Sequence, residues 1–264
     1  MAFPLQSKDY ALEVARGNVS GVTSVNKFGR NTEIDAAVTA DIWDGGNTGD
    51  VSLLWVAPTQ ARTHTIASTS ASDTSGGVGA RTVRITGLTS WSTSQVSEDI
   101  TMDTASPPVT SNSYVIIYRM KVLTKGATSS NVGTITATAT TDGTITAKIS
   151  PGLGQTGMSI FGIPSTQDMY IGRFYGNLNK AAGAGGSTGY VDVELKVNPE
   201  PDVELLNFLT KHTFGLSLNG TSALTINYAT YKIISGPAII KIQTTSGTNN
   251  MDISAGWDAF VVDN

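Results

Sequence analysis

The run Ser113-Tyr114-Val115-Ile116-Ile117-Tyr118-Arg119-Met120-Lys121-Val122 is the most apolar and β-prone stretch of the chain. Its apolar character repeats at every second residue. Tyr114, Ile116, Tyr118, Met120 and Val122 share one face, while the other begins with Val115 and Ile117 and turns charged at Arg119 and Lys121. The pattern predicts a central strand, buried fully on one face and half on the other. No chemistry-bearing side chains cluster around it, so strand pattern speaks for fold class and not for function.

Composition points the same way. Charged residues make up 14% of the 264, Ser and Thr roughly a quarter, and there are 28 glycines, the usage of many strands joined by tight turns. A net charge of −4 leaves no basic patch for phosphate neutralisation, so no nucleic-acid partner is expected. The chain has no cysteine, which removes disulfides and thiolate zinc sites. No apolar run approaches the ~18 residues of a membrane helix, and the first residues lack a secretion signal pattern. The expectation is a soluble protein with no membrane partner.

Outward from the central run, residues 10–16 alternate as a first strand, and Ile34, Val38 and Ile42 recur every four residues as on a short helix capped by Asn31 or Thr32. Residues 51–57 and 62–70 read as a strand pair, with His64 and Ile66 on one face. Residues 81–88 and 98–102 follow as strands, and Pro107-Pro108 marks a crossing between edges or sheets. Gly133-Thr134-Ile135-Thr136-Ala137 recurs as Gly143-Thr144-Ile145-Thr146-Ala147, a hairpin around an Asp142-Gly143 turn with both threonine rows in solvent. Beyond Pro151 seven short strands are expected, at 158–163, 169–175, 190–197, 213–218, 224–232, 238–242 and 259–262. One helical turn is expected within 203–209, and 180–187 reads as a flexible loop tip.

Two segments are unusual together: Val25-Asn26-Lys27-Phe28-Gly29-Arg30-Asn31, and Asp41-Ile42-Trp43-Asp44-Gly45-Gly46. With Ser70-Ala71-Ser72-Asp73-Thr74, the stretch 79–88, His212-Thr213-Phe214-Gly215-Leu216-Ser217, Gly236-Pro237-Ala238 and the stretch 249–257, the chain resembles a family of tailed-phage virion structural proteins. The resemblance spans most of the chain. It implies a particle component without assigned chemistry: a capsid decoration or cement protein on the major capsid protein, on the virion surface and made in the host cytoplasm. It also implies a homotrimer, because jelly-roll decoration proteins commonly occupy local three-fold positions. The motif residues Asn26, Lys27, Phe28, Gly29, Arg30, Trp43, Asp44 and Gly45 are read as structural, with Phe28 and Trp43 as core or clamp residues. Arg30 is placed to pair with Asp41 or Asp44.

Other candidate sites read as structure. Gly152-Leu153-Gly154-Gln155-Thr156-Gly157 has dinucleotide-type glycine spacing, but a strand rather than a helix follows it. His64 and His212 have no second ligand at metal-site spacing. Glu98, Asp99 and Asp103 lack the dense oxygen ligands of a calcium loop. No catalytic residue, cofactor or metal is therefore expected, and the protein is read as a non-enzyme.

The fold expected is all-β, an antiparallel sandwich of jelly-roll type. An N-terminal arm, first strand and short helix would occupy 1–51 and the sandwich 52–264, with a subdivision near Pro151 as the alternative. Residues 1–8 are read as an attachment arm that orders against a neighbour. The competing functions are a tail or fibre component touching the host surface, and a glycan-cleaving β-protein, which needs two carboxylates about 5–9 Å apart in a cleft.

Overall fold

A computed structural model describes residues 9–43, 53–181, 188–247 and 249–264. The chain begins with helix α1 (Tyr10–Ala15), β1 (Val22–Ile34) and β2 (Thr39–Asp41). Its middle supplies β3 (His64–Ser68), β4 (Ala80–Leu88), β5 (Val96–Thr101), β6 (Ile116–Lys125), β7 (Ile135–Ala139) and β8 (Ile145–Ile149). Then come β9 (Ile160–Ile163), β10 (Gln167–Lys180), β11 (Tyr190–Asn198), β12 (Leu209–Ser217), β13 (Ala223–Ser235), β14 (Ala238–Ser246) and β15 (Met251–Asp263). The protein is all-β with antiparallel pairing throughout.

Four sheets result. A four-stranded sheet has the order β1-β15-β10-β13, and a five-stranded one has β12-β11-β14-β2 with β9 also on β14. The middle of the chain makes two three-stranded sheets, β3-β7-β8 and β5-β4-β6. Sheet membership thus changes at Pro151: strands before it, β1 and β2 apart, lie in the small sheets, and strands after it lie in the large ones. One buried apolar cluster runs through all four, from Ile66 and Ile85 to Trp257, Phe174 and Val193.

Period-two patterning predicts the faces well. Ile116, Tyr118 and Met120 are buried while Arg119 and Lys121 are exposed, and Val191, Val193, Leu195 and Val197 are all buried in β11. The position of β6 differs from expectation. It ladders with β4 alone, and residues 154–156 cover part of its other edge through Val122 N–H to Gly154 O and Thr156 N–H to Met120 O. β15 is flanked along its whole length, because β1 and β10 hold both of its edges.

Several local expectations are corrected. Residues 10–15 are helical because the Asp9 side chain accepts from Leu12 N–H as an N-cap, and Gly17 takes a positive φ just beyond the end. Alternation misled there, since Tyr10 and Leu12 are exposed and only Val14 is buried. The helix expected after Asn31 is instead the end of β1, a turn and β2. Asn31 spans that turn: its amide donates to Asp41 O and its carbonyl accepts from Trp43 N–H. The four-residue recurrence of Ile34, Val38 and Ile42 therefore comes from a chain reversal.

Residues 53–57 form no strand, and β3 pairs with β7 instead. The hairpin β7–β8 forms as expected, but positive φ falls at Thr141 and Gly143, so its loop is longer than a two-residue turn. Thr146 and Lys148 are buried, so the β8 outer row is not in solvent. Within 203–208 there is no helix, only turns and irregular backbone, with Glu204 N–H bonded to Glu200 O, and Leu209 opens β12. The strands after Pro151 are present, and β10, β13 and β15 are much longer than the pattern suggested.

A buried ion pair ties β2 to β14. Asp41 and Lys241 are both buried, with 2.6 Å between Oδ2 and Nζ. The Asp41 carboxylate also accepts from Trp55 N–H at 2.8 Å and Gln243 Nε2 at 3.0 Å, and the Lys241 ammonium lies 4.2 Å from the centroid of the Phe208 ring. Burial raises the Asp41 pKa, opposed by Lys241 and the other donors. Lys241→Met should lower unfolding free energy by about 3–5 kcal/mol, since it strands a buried carboxylate. The double variant with Asp41→Asn should lose at least about 1 kcal/mol less than the sum of the single losses, measured by denaturant midpoints.

His64 is fully buried, and that burial, opposed by the Arg62 backbone and the Asp142 and Glu98 charges, lowers its pKa from 6.5 to about 4. The unfolded chain therefore binds the proton first. Stability should fall as pH drops from 6.5 towards 4, by roughly 3 kcal/mol in full. His64→Phe should remove that part of the acid slope in equilibrium unfolding.

Candidate functional site

Alternation along β1 splits the resemblance motif between two faces. Lys27, Gly29 and Asn31 are buried, and Asn26, Phe28 and Arg30 are exposed. Gly29 is required by close backbone approach, because a Cβ there would sit 2.7 Å from Gly157 O, Ile42 O and Ser159 N. Antiparallel register then carries the outward residues across the sheet. Asn26 faces Asp258, Asp258 faces Arg173 and Arg173 faces Asn227; in the next row Phe28, Gly256, Tyr175 and Thr225 are aligned.

The first of these rows is a hydrogen-bonded ladder. Asn26 Nδ2 donates to Asp258 Oδ1 at 2.5 Å and to Tyr175 Oη at 3.2 Å. Arg173 pairs with Asp258 Oδ2 at 3.2 Å and donates through Nε to Asn227 Oδ1, also at 3.2 Å. On one side of the ladder lies a trough of about 740 Å³ between Phe28, Tyr175 and Leu153. On the other lies one of about 410 Å³ against Tyr231 and Phe260. Asn26, Arg173 and Asp258 border both.

Two glycines shape these troughs. Gly256 separates Phe28 from Tyr175 in their row, and a Cβ there would collide with Lys27 O and Tyr175 Oη. At Gly172 a Cβ would come within 2.9 Å of the Tyr231 ring. Residues 228–231 bulge from β13 opposite that glycine, which re-aims Tyr231 across the sheet face towards Phe260, with ring centroids 6.1 Å apart. Tyr10 of α1 packs on the Phe260 ring at 6.3 Å.

Behind this face, Lys27 donates to Tyr118 O and stands 5.7 Å from the Tyr118 ring centroid. It borders a separate cleft of about 560 Å³ with Gln95, Tyr118 and Phe161. Burial, with the nearby Arg119 charge, lowers its pKa from 10.5 to about 7.

The remaining sequence candidates stay apart. Trp43 is buried, while Asp44 and Gly45 lie outside the described residues. Arg30 pairs with Asp252 at 3.1 Å and not with Asp41, which Lys241 holds. Phe28 is 44% exposed, so it is a surface residue and not a core clamp. Gly152 and Gly154 have positive φ in a loop that leads to β9 with no helix after Gly157. Its Leu153 borders the larger trough. Glu98 accepts from Ser111 and Asn112 N–H, Asp99 grips Arg84 at 2.7 and 2.8 Å, and Asp103 caps its own loop. His212 packs against Phe174 and Tyr228. Among the described residues no three His, Cys, Asp or Glu come together as a metal site.

No protein-family model, curated protein or solved structure matches this chain.

Sequence reading missed Arg173, Tyr175, Asn227, Tyr231 and Asp258. Their signal was the polar or aromatic residue at alternate positions of strands whose other face is apolar, but only register brings those positions into one row.

Lys27 yields a pH test. The unfolded chain holds the lysine proton up to about pH 10.5 and the folded chain only to about 7, so stability should rise with pH across that window. Between pH 7 and 9, wild type should gain about 2–3 kcal/mol relative to Lys27→Met, read from chemical denaturation of both chains.

Proposed function

We infer that the protein is a non-enzymatic virion structural protein of a tailed phage, a capsid decoration protein of jelly-roll type bound to the major capsid protein. The observation that carries this reading is the meeting of the resemblance segments. Residues 25–31 and 249–257 stand far apart in sequence, yet Lys27 pairs with Trp257, Phe28 with Gly256 and Gly29 with Ala255. A signature whose pieces build one sheet fits a scaffold kept for assembly.

A homotrimer fits the free sheet edges. β12 and β13 end their sheet orders, and Leu224, Ile226 and Tyr228 beneath β13 are only partly buried although packed on the core. Cyclic symmetry would cover such a strip in each copy without opening a filament. The second reading, a tail or fibre component touching the host surface, is favoured by the exposed aromatic and polar face of the four-stranded sheet.

Mass measurement of the purified chain should give a trimer, and Ala229→Arg on the β13 bulge should give a folded monomer. The wild-type chain should co-sediment with expanded capsids of the major capsid protein. A strict monomer at high concentration removes the trimer, and failure to co-sediment removes the capsid placement.

A further inference from the structure

The outer face of the four-stranded sheet combines two features that a carbohydrate requires. Sugar hydroxyls on adjacent carbons both donate and accept, so they are best matched by planar groups that present two polar atoms side by side. Asn26, Asp258, Arg173 and Asn227 supply four such groups in one line across four strands. The apolar C–H face of a pyranose ring is matched by an aromatic face. Phe28 and Tyr175 flank the ladder on one side, and Tyr231, 50% exposed, flanks it on the other.

Shape supports the fit. The Tyr175 side chain lies across Gly256, with its Oη 3.2 Å from Asn26 Nδ2, so together with Phe28 and Leu153 it walls the larger trough. That trough, of about 740 Å³, leaves room for a sugar ring against these apolar faces. Both troughs border the same ladder, so more than one sugar unit can lie across it.

Charge selects the kind of sugar. Arg173 is neutralised by Asp258 and Arg30 by Asp252, which leaves no unpaired cation in the rows to attract a sialyl or sulfate group. A second copy of this chain is a poorer occupant. The exposed rings are interleaved with Asn, Asp, Arg and Thr, whereas stable protein interfaces have a continuous apolar core depleted of charge.

We propose that this face binds a neutral oligosaccharide, with hydroxyl pairs on the Asn26–Asp258–Arg173–Asn227 ladder and one ring seated in the trough beside Phe28 and Tyr175. The proposal is independent of where on a particle the protein sits, and capsid co-sedimentation is read separately from sugar binding.

The test uses the full chain against maltotetraose, cellotetraose, mannotetraose and chitotetraose, with a sialylated and a sulfated oligosaccharide as acidic controls. At least one neutral sugar should bind with Kd between about 10 μM and 1 mM by calorimetry. Phe28→Ala and Asn227→Ala should each weaken it about tenfold or more, with unchanged circular dichroism and thermal midpoint. Arg173→Ala serves as a third variant should either of these fail to fold. The proposal is overturned if no neutral sugar binds at 1 mM, if only the acidic controls bind, or if the folded variants bind as wild type does. Dimerisation of the chain that Phe28→Ala abolishes would also overturn it, by assigning the face to a second copy.

Discussion

The four-stranded sheet does not exist until the two ends of the chain meet. β15 is the last strand, and the strands on either side of it are the first strand and β10, which follows Pro151. Trp257, Phe174, Ile253 and Val261 reach the core only once those ladders close. Pairing of such distant segments demands loop closure before any apolar burial rewards it. Tight local fit follows from the same closure. Gly29 lets β1 pass against residues 157–159 and Ile42, and Ser159 Oγ donates to Ala255 O beneath the sheet at 2.7 Å.

Irregular segments are held to this frame by buried carboxylates. Asp73 is fully buried and accepts from Ala80, Val132 and Gly133 N–H and from Ser68 Oγ, which fastens the serine-rich loop to the start of β4 and the approach to β7. Asp41 does the same for the segment carrying Trp55, whose indole N–H reaches Thr146 O in β8. A carboxylate taken from water is tolerated where donors converge on it. Both residues join pieces remote in sequence, so each couples a loop to a sheet that local propensity could not place.

Strand existence and inward faces were legible because burial on one face imposes a period of two, as in β4, β6 and β11. Position within a sheet was not. The run around Ile116 is the most apolar, yet it is an outer strand of a small sheet, because its apolar neighbours come from packing between sheets and not from two ladders. β15 hid its rank behind Ser254, Ala255 and Gly256, small residues that lower apolar density while keeping Met251, Ile253, Trp257 and Val261 inward. The helix at α1 depended on a single cap, Asp9, and the false helix after Asn31 on a recurrence that a reversal also produces. Of the candidate site, only the β1 residues belonged to a recognisable motif. Their partners on β10, β13 and β15 are assembled by register, which no local window contains.

Alternation also lets one stretch of chain serve stability and recognition without conflict. In Asn26-Lys27-Phe28-Gly29-Arg30-Asn31 the odd-numbered residues build the interior: Lys27 reaches Tyr118, Gly29 admits neighbouring backbone and Asn31 bridges the turn to Trp43. The even-numbered ones face outward, where Asn26 and Phe28 contribute to the ladder and the trough. A change at an inward position alters packing or a buried hydrogen bond and acts on the whole sheet. A change at an outward position meets water and a few exposed partners, and leaves the ladder of backbone bonds intact. The motif therefore carries two sets of constraints in one strand, and the outward set is the one free to specify what the sheet face contacts.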